Sequence, residues 1–70
     1  MVLEDELYFT IDSLETQLRS CFDYEEMWNV NFKAYINKMT EIPEGYEIKI
    51  KNKTILVDKF TGLVLSVEET

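Results

Sequence analysis

Seventy residues make one domain, and 46% apolar side chains, with one Trp, four Tyr and four Phe, exclude an intrinsically disordered chain despite a net charge of −7. A lone cysteine, Cys21, excludes an internal disulfide framework, and the lack of histidine removes the commonest general base and metal ligand. No stretch approaches the ~20 apolar residues of a membrane span, and Glu4, Asp5 and Glu6 stand where a secretory leader carries positive charge, so the chain is expected to be cytoplasmic, complete as written and without a membrane partner.

Apolar residues recur every seventh position through the first half. Leu7, Leu14, Cys21, Trp28, Tyr35 and Ile42 form one row, and Ile11, Leu18, Phe32 and Met39 a second, offset by three or four. Such residues share one face of a helix, so the spacing predicts helix with a buried stripe over residues from about 4 to 42. Glu25 interrupts the second row, and Asp23 with Glu26 three residues on suits a capping box. The pattern therefore divides into one helix ending near Phe22 and another from about Tyr24 to Thr40. With no Gly or Pro between them, a single helix from about Glu4 to Thr40 remains the alternative. Leu7 to Ile11 is also rich in strand formers, and Asp12 with Glu15 makes another capping pair, so the stretch over 7–11 suits a strand followed by a helix from Ser13.

Pro43 stops the helical pattern and Glu44-Gly45 turns the chain. Tyr46, Ile48 and Ile50 then alternate with Glu47, Lys49 and Lys51, the period of a half-buried strand. Asn52-Lys53 reads as a tight turn, with Asn tolerating positive φ. Thr54 to Val57 is a β-branched run, Asp58 to Gly62 a longer connection, and Leu63 to Val67 a third strand. The expected fold is α+β, with one or two N-terminal helices packed on a three-stranded antiparallel meander over about residues 46–67.

Charge separates along the chain. Residues 1–26 hold Glu4, Asp5, Glu6, Asp12, Glu15, Asp23, Glu25 and Glu26 against Arg19 alone, whereas residues 48–67 hold Lys49, Lys51, Lys53 and Lys59 against Asp58. Lys49, Lys51 and Lys53 read as one strand face beside Tyr46 and Phe60, a pattern that suits base stacking as well as the solvated side of an edge strand. Four lysines among fourteen acids make a weak phosphate binder, so direct nucleic-acid binding is not expected.

Consecutive acids on a helix point in different directions and do not converge on an ion, so no metal or cofactor is expected. Cys21 sits in the apolar row as a small core residue, and Gly45 and Gly62 serve turns instead of a phosphate loop. The chain is thus read as a non-catalytic module that binds a protein with a basic surface. The partner-binding residues are expected to be Glu4, Asp5, Glu6, Asp12, Glu15, Asp23, Glu25 and Glu26, with Tyr24 and Trp28 as apolar anchors. In size and charge alone, with no motif in common, the chain resembles the small acidic inhibitors that phages and mobile elements direct against host nucleic-acid machinery, anti-CRISPR proteins among them. That likeness implies an inhibitor whose carboxylates imitate a phosphate array, a DNA mimic. The other reading is a homodimeric structural or regulatory subunit whose sevenfold seam completes the core.

Overall fold

The computed structural model describes residues 6–69, so Glu4 and Asp5, and any helix beginning there, lie outside the described residues. Three short helices precede four strands: α1 Ile11–Arg19, α2 Tyr24–Met27, α3 Phe32–Ile36, β1 Thr40–Ile42, β2 Gly45–Ile50, β3 Lys53–Asp58 and β4 Val64–Glu69. The strands form one antiparallel meander in chain order, β1-β2-β3-β4. The α+β architecture matches the sequence reading, with four strands in place of three.

The helical half differs from both sequence readings, and polar side chains explain each break. Leu7 to Ile11 is not a strand, although Leu7, Phe9 and Ile11 are half-buried while Tyr8 and Thr10 are exposed. Thr10, not Asp12, caps α1, its Oγ1 accepting from Ser13 N at 3.1 Å. At the other end Ser20 N bonds Gln17 O and Cys21 N bonds Leu18 O, a tightened last turn that closes the helix before Phe22. The Asp23 box does form, Glu26 Oε1 accepting from Asp23 N at 3.4 Å. The helix it starts lasts only four residues. Asn29 Nδ2 donates back to Glu25 O, and Asn31 Oδ1 accepts from Ala34 N to begin α3, so the expected helix from Tyr24 to Thr40 is cut in two.

The sevenfold rows therefore do not form one continuous seam. Leu14, Leu18, Phe32, Ile36 and Met39 are buried with Phe22, but Trp28 is exposed and Ile42 belongs to β1. These residues pack on Tyr46, Ile48 and Ile50 of β2 and Ile55 and Val57 of β3, one face of the sheet, as the period-two pattern requires. Phe22 meets Phe32 edge-on at 5.5 Å, and Phe9 meets Tyr46 likewise at 5.9 Å.

Turn chemistry sets the register. Pro43 and Glu44 link Ile42 to its partner Gly45, so the proline closes a hairpin instead of ending a helix. Lys51 and Asn52 link Ile50 to Lys53, and the residue with positive φ is Lys51 at 55°, not Asn52. Lys53 therefore opens β3, which removes it from the strand face that carries Lys49. Between β3 and β4 the Asp58 carboxylate accepts from Phe60 N, Thr61 N and Thr61 Oγ1 at 2.8–3.0 Å. Gly62 follows at φ 72° with Phe9 against it.

Those donors hold the Asp58 carboxyl below its ordinary value, the Thr61 amide first, then the Thr61 hydroxyl and the Phe60 amide. A depressed folded pKa contributes stability that is present above the unfolded value near 3.8 and is lost as pH falls through the folded one. Asp58→Asn, which keeps an acceptor but does not titrate, is expected to flatten the acid limb of stability below that value. Urea unfolding midpoints across pH 2–6 check this; an unchanged slope would contradict it.

Gln17 ties α1 to this connection with both ends of its amide. Nε2 donates to Gly62 O and Oε1 accepts from Val64 N at 3.1 Å, capping the start of β4 as a neighbouring strand would. Gln17→Ala leaves two part-buried backbone groups unpaired. A loss of about 1–3 kcal/mol in chemical denaturation is expected.

Candidate functional site

Tyr24 opens α2 and Trp28, its C-cap, stands one helical turn on, and α2 contributes no fully buried residue. They are 71% and 72% exposed, with rings edge-to-face at 5.8 Å. Solvent normally finds such rings packed away, because burying an aromatic side chain contributes roughly 1.5–3 kcal/mol. Asp23 and Glu25 are exposed beside them, while Glu26 is half-buried through its capping role.

The capping box explains why these groups project together. It starts a helix at a point where the chain has just passed the core through Phe22, and Asn29 ends it before the chain returns through Phe32. The short excursion leaves Asp23, Tyr24, Glu25 and Trp28 exposed, with Glu26 and Met27 half-buried.

Lys53 shows what lies beside this corner. Its ammonium pairs with Glu69 and lies 5.4 Å from the centre of the Phe22 ring. The hydrogen bond to Glu69 raises its pKa above the ordinary value, with further contributions from the charges of Glu69, Glu26 and Asp23 outweighing partial burial. The first turn of α2, the start of β3 and the end of β4 therefore share one electrostatic neighbourhood. Glu69, Glu26 and Asp23 outnumber the Lys53 ammonium there, whereas Glu68, next along β4 and opposite Thr54, lies on the other face of the sheet.

The other expected site residues are distributed differently. Asp12 pairs with Lys33 at 3.7 Å across α1 and α3, and Glu15 pairs with Arg19 at 3.6 Å along α1. Glu6 lies within electrostatic reach of Tyr46, whose hydroxyl pKa is raised by burial first and then by Glu41 and Glu6. Asp23, Tyr24, Glu25, Glu26 and Trp28 thus form one compact group, whereas Glu6, Asp12 and Glu15 do not join it. The sequence reading set Lys53 on the lysine face and did not include Glu69, because their pairing depends on β4 returning alongside β3.

The stacking face read from the lysines does not form. Tyr46 is buried, Lys53 is engaged by Glu69, and Lys49 pairs with Glu47 at 3.8 Å. Phe60 is exposed, but its ring contacts Tyr8 at 5.0 Å. Two shallow clefts flank α3: one of about 380 Å³ is lined by Ile11, Asp12, Lys33 and Asn37, the other of about 360 Å³ by Asn29, Asn31, Ala34, Tyr35 and Lys38. The first holds the Asp12–Lys33 ion pair, and the second has no carboxylate in its lining. Among the described residues no three carboxylates or cysteines gather as a metal-holding group, and no helix is long and apolar enough to cross a membrane. Cys21 is half-buried, its Sγ 3.6 Å from Gln17 O.

The chain matches no family model, no curated protein and no solved structure.

Proposed function

We propose that this is a non-catalytic protein-binding module that docks its α2 corner on a basic surface of another protein, of the kind that otherwise holds nucleic acid. The observation that carries this reading is the pair of exposed rings, Tyr24 and Trp28, set among Asp23, Glu25 and Glu26. Aromatic side chains at the centre of an interface and charges around it divide the work of binding. The rings lose solvent and slow release, while the carboxylates steer encounter with a positive surface. A net charge of −7 on 70 residues extends that steering over the whole molecule. Inhibition by occupancy of a phosphate-binding groove is the activity proposed.

The test is capture of the partner on the intact chain, followed by kinetics on the purified complex. Glu25→Lys with Glu26→Lys is expected to slow association and reduce its salt sensitivity. Tyr24→Ala with Trp28→Ala is expected to raise the dissociation rate, with an affinity loss of about 30-fold or more. Unchanged kinetics in both pairs of variants would remove α2 as the binding surface. Sedimentation at micromolar concentration distinguishes a monomeric binder from the homodimeric subunit.

A further inference from the structure

The two edges of the sheet are unlike each other. β1 is a three-residue strand that ends at Pro43, a short edge of the kind that resists pairing. β4 runs for six residues with neither Pro nor Lys, and along or beside it Leu63, Leu65 and Val67 are 55%, 54% and 40% exposed. Its register skips Leu65, since Leu56 faces Ser66 and Val57 faces Val64, so the strand carries a bulge there and is regular from Ser66 to Glu69. Among the described residues it pairs with no strand but β3, and beyond Val64, whose N–H Gln17 takes up, its outer edge has no strand beside it.

Charge decides what could pair with that edge. Glu68 and Glu69 close it, Asp23 and Glu26 lie within electrostatic reach of the same corner, and the Lys53 ammonium is taken up by Glu69. A second copy placed antiparallel about Ser66 would set Glu68 opposite Val64 and bring no cation to the carboxylates. A parallel copy would set Glu68 against Glu68. Either arrangement also joins two chains of charge −7.

We infer that β4 is a docking edge for an extended segment of a basic protein, which adds as an antiparallel fifth strand with aliphatic residues opposite Leu65 and Val67 and Lys or Arg opposite Glu68 and Glu69. Backbone hydrogen bonds supply the affinity, and the cross-strand side chains supply the selection. The inference rests on the proposed function for the basic character of the partner, while its location rests on the sheet. The α2 corner and the end of β4 adjoin at Lys53, so one partner can engage both.

The probe is a capped synthetic peptide, KKVTVT, whose two lysines meet Glu69 and Glu68 in that register. Added to the full chain, it is expected to protect from hydrogen exchange the β4 amides that point away from β3. Replacing its lysines by glutamates is expected to weaken binding at least about tenfold, and N-methylation of its central residues to abolish it. Val67→Lys, which places a cation on the edge at a residue already partly exposed, is expected to weaken binding with the unfolding midpoint retained. Peptide binding without β4 protection, equal binding of the glutamate peptide, or no binding would overturn the inference. So would β4 protection that arises from self-association without peptide. Kinetics of the Tyr24, Glu25, Glu26 and Trp28 variants in the captured complex report separately on the α2 reading.

Discussion

Gly45→Ala is expected to destabilise the protein by about 3 kcal/mol or more, at the severe end for a single added methyl group. Gly45 holds φ 152°, a conformation that L side chains rarely adopt, where β2 begins opposite Asp58. A Cβ there would lie 2.1 Å from Val57 O and 2.8 Å from Lys59 N. Both are backbone atoms of the neighbouring strand and its exit, so no rotamer change relieves the overlap. The strands must part where Tyr46 pairs with Val57 in the core. A domain of this length has a total stability of roughly 4–10 kcal/mol, so the variant loses a large share of it. Thermal unfolding should show a fall of roughly 12–24 °C. A fall under a few degrees would mean that the close approach of β2 to β3 at Gly45 is not rigid. Gly62→Ala is strained as well, at φ 72° with an added Cβ 2.6 Å from Phe9 Cγ, but its overlap is with a side chain and not with strand backbone.

The sheet is more legible in the sequence than the helices, for a physical reason. Tyr46, Ile48 and Ile50 alternate with charged residues, and a period of two has few other uses. The turns are legible to within a residue: Asp58 to Gly62 folds as its composition implies, whereas the left-handed position falls on Lys51 one step before Asn52. β1 is hidden because it has three residues and because Met39 and Ile42 continue the sevenfold rows by coincidence.

The rows themselves show the limit of periodicity. An apolar residue every seventh position is equally compatible with one helix and with several that happen to keep phase, and side chains that compete for backbone groups decide between them. Asn29 and Asn31 carried that signal. Their amides end α2 and start α3, a break as effective as a proline. The compact part of the site was legible because it depends on local chemistry. Asp23 and Glu26 make a helix start, and Tyr24 and Trp28 follow at a spacing that pairs them. The part that was not legible, the Lys53–Glu69 pair within electrostatic reach of Asp23 and Glu26, depends on tertiary return of the last strand, which no local pattern encodes.

Leu14 and Trp28 occupy the same sevenfold row, and truncating each should separate packing from surface. Leu14 is fully buried between α1 and the sheet, whereas Trp28 is exposed and its ring contact is with Tyr24. Leu14→Ala is expected to cost about 2–5 kcal/mol, the loss from transfer plus the cavity left behind. Trp28→Ala is expected to change stability by no more than about 0.5 kcal/mol, as for a surface substitution. Urea denaturation of the two variants measures both, and Leu14→Val gives a graded value if Leu14→Ala does not fold. Equal costs at the two positions would restore a continuous helical seam with Trp28 inside it, and with that the α2 corner would cease to be a surface. A large cost at Leu14 beside a negligible one at Trp28 leaves the indole without a role in folding. An indole with no packing duty is available for the docking proposed at the α2 corner.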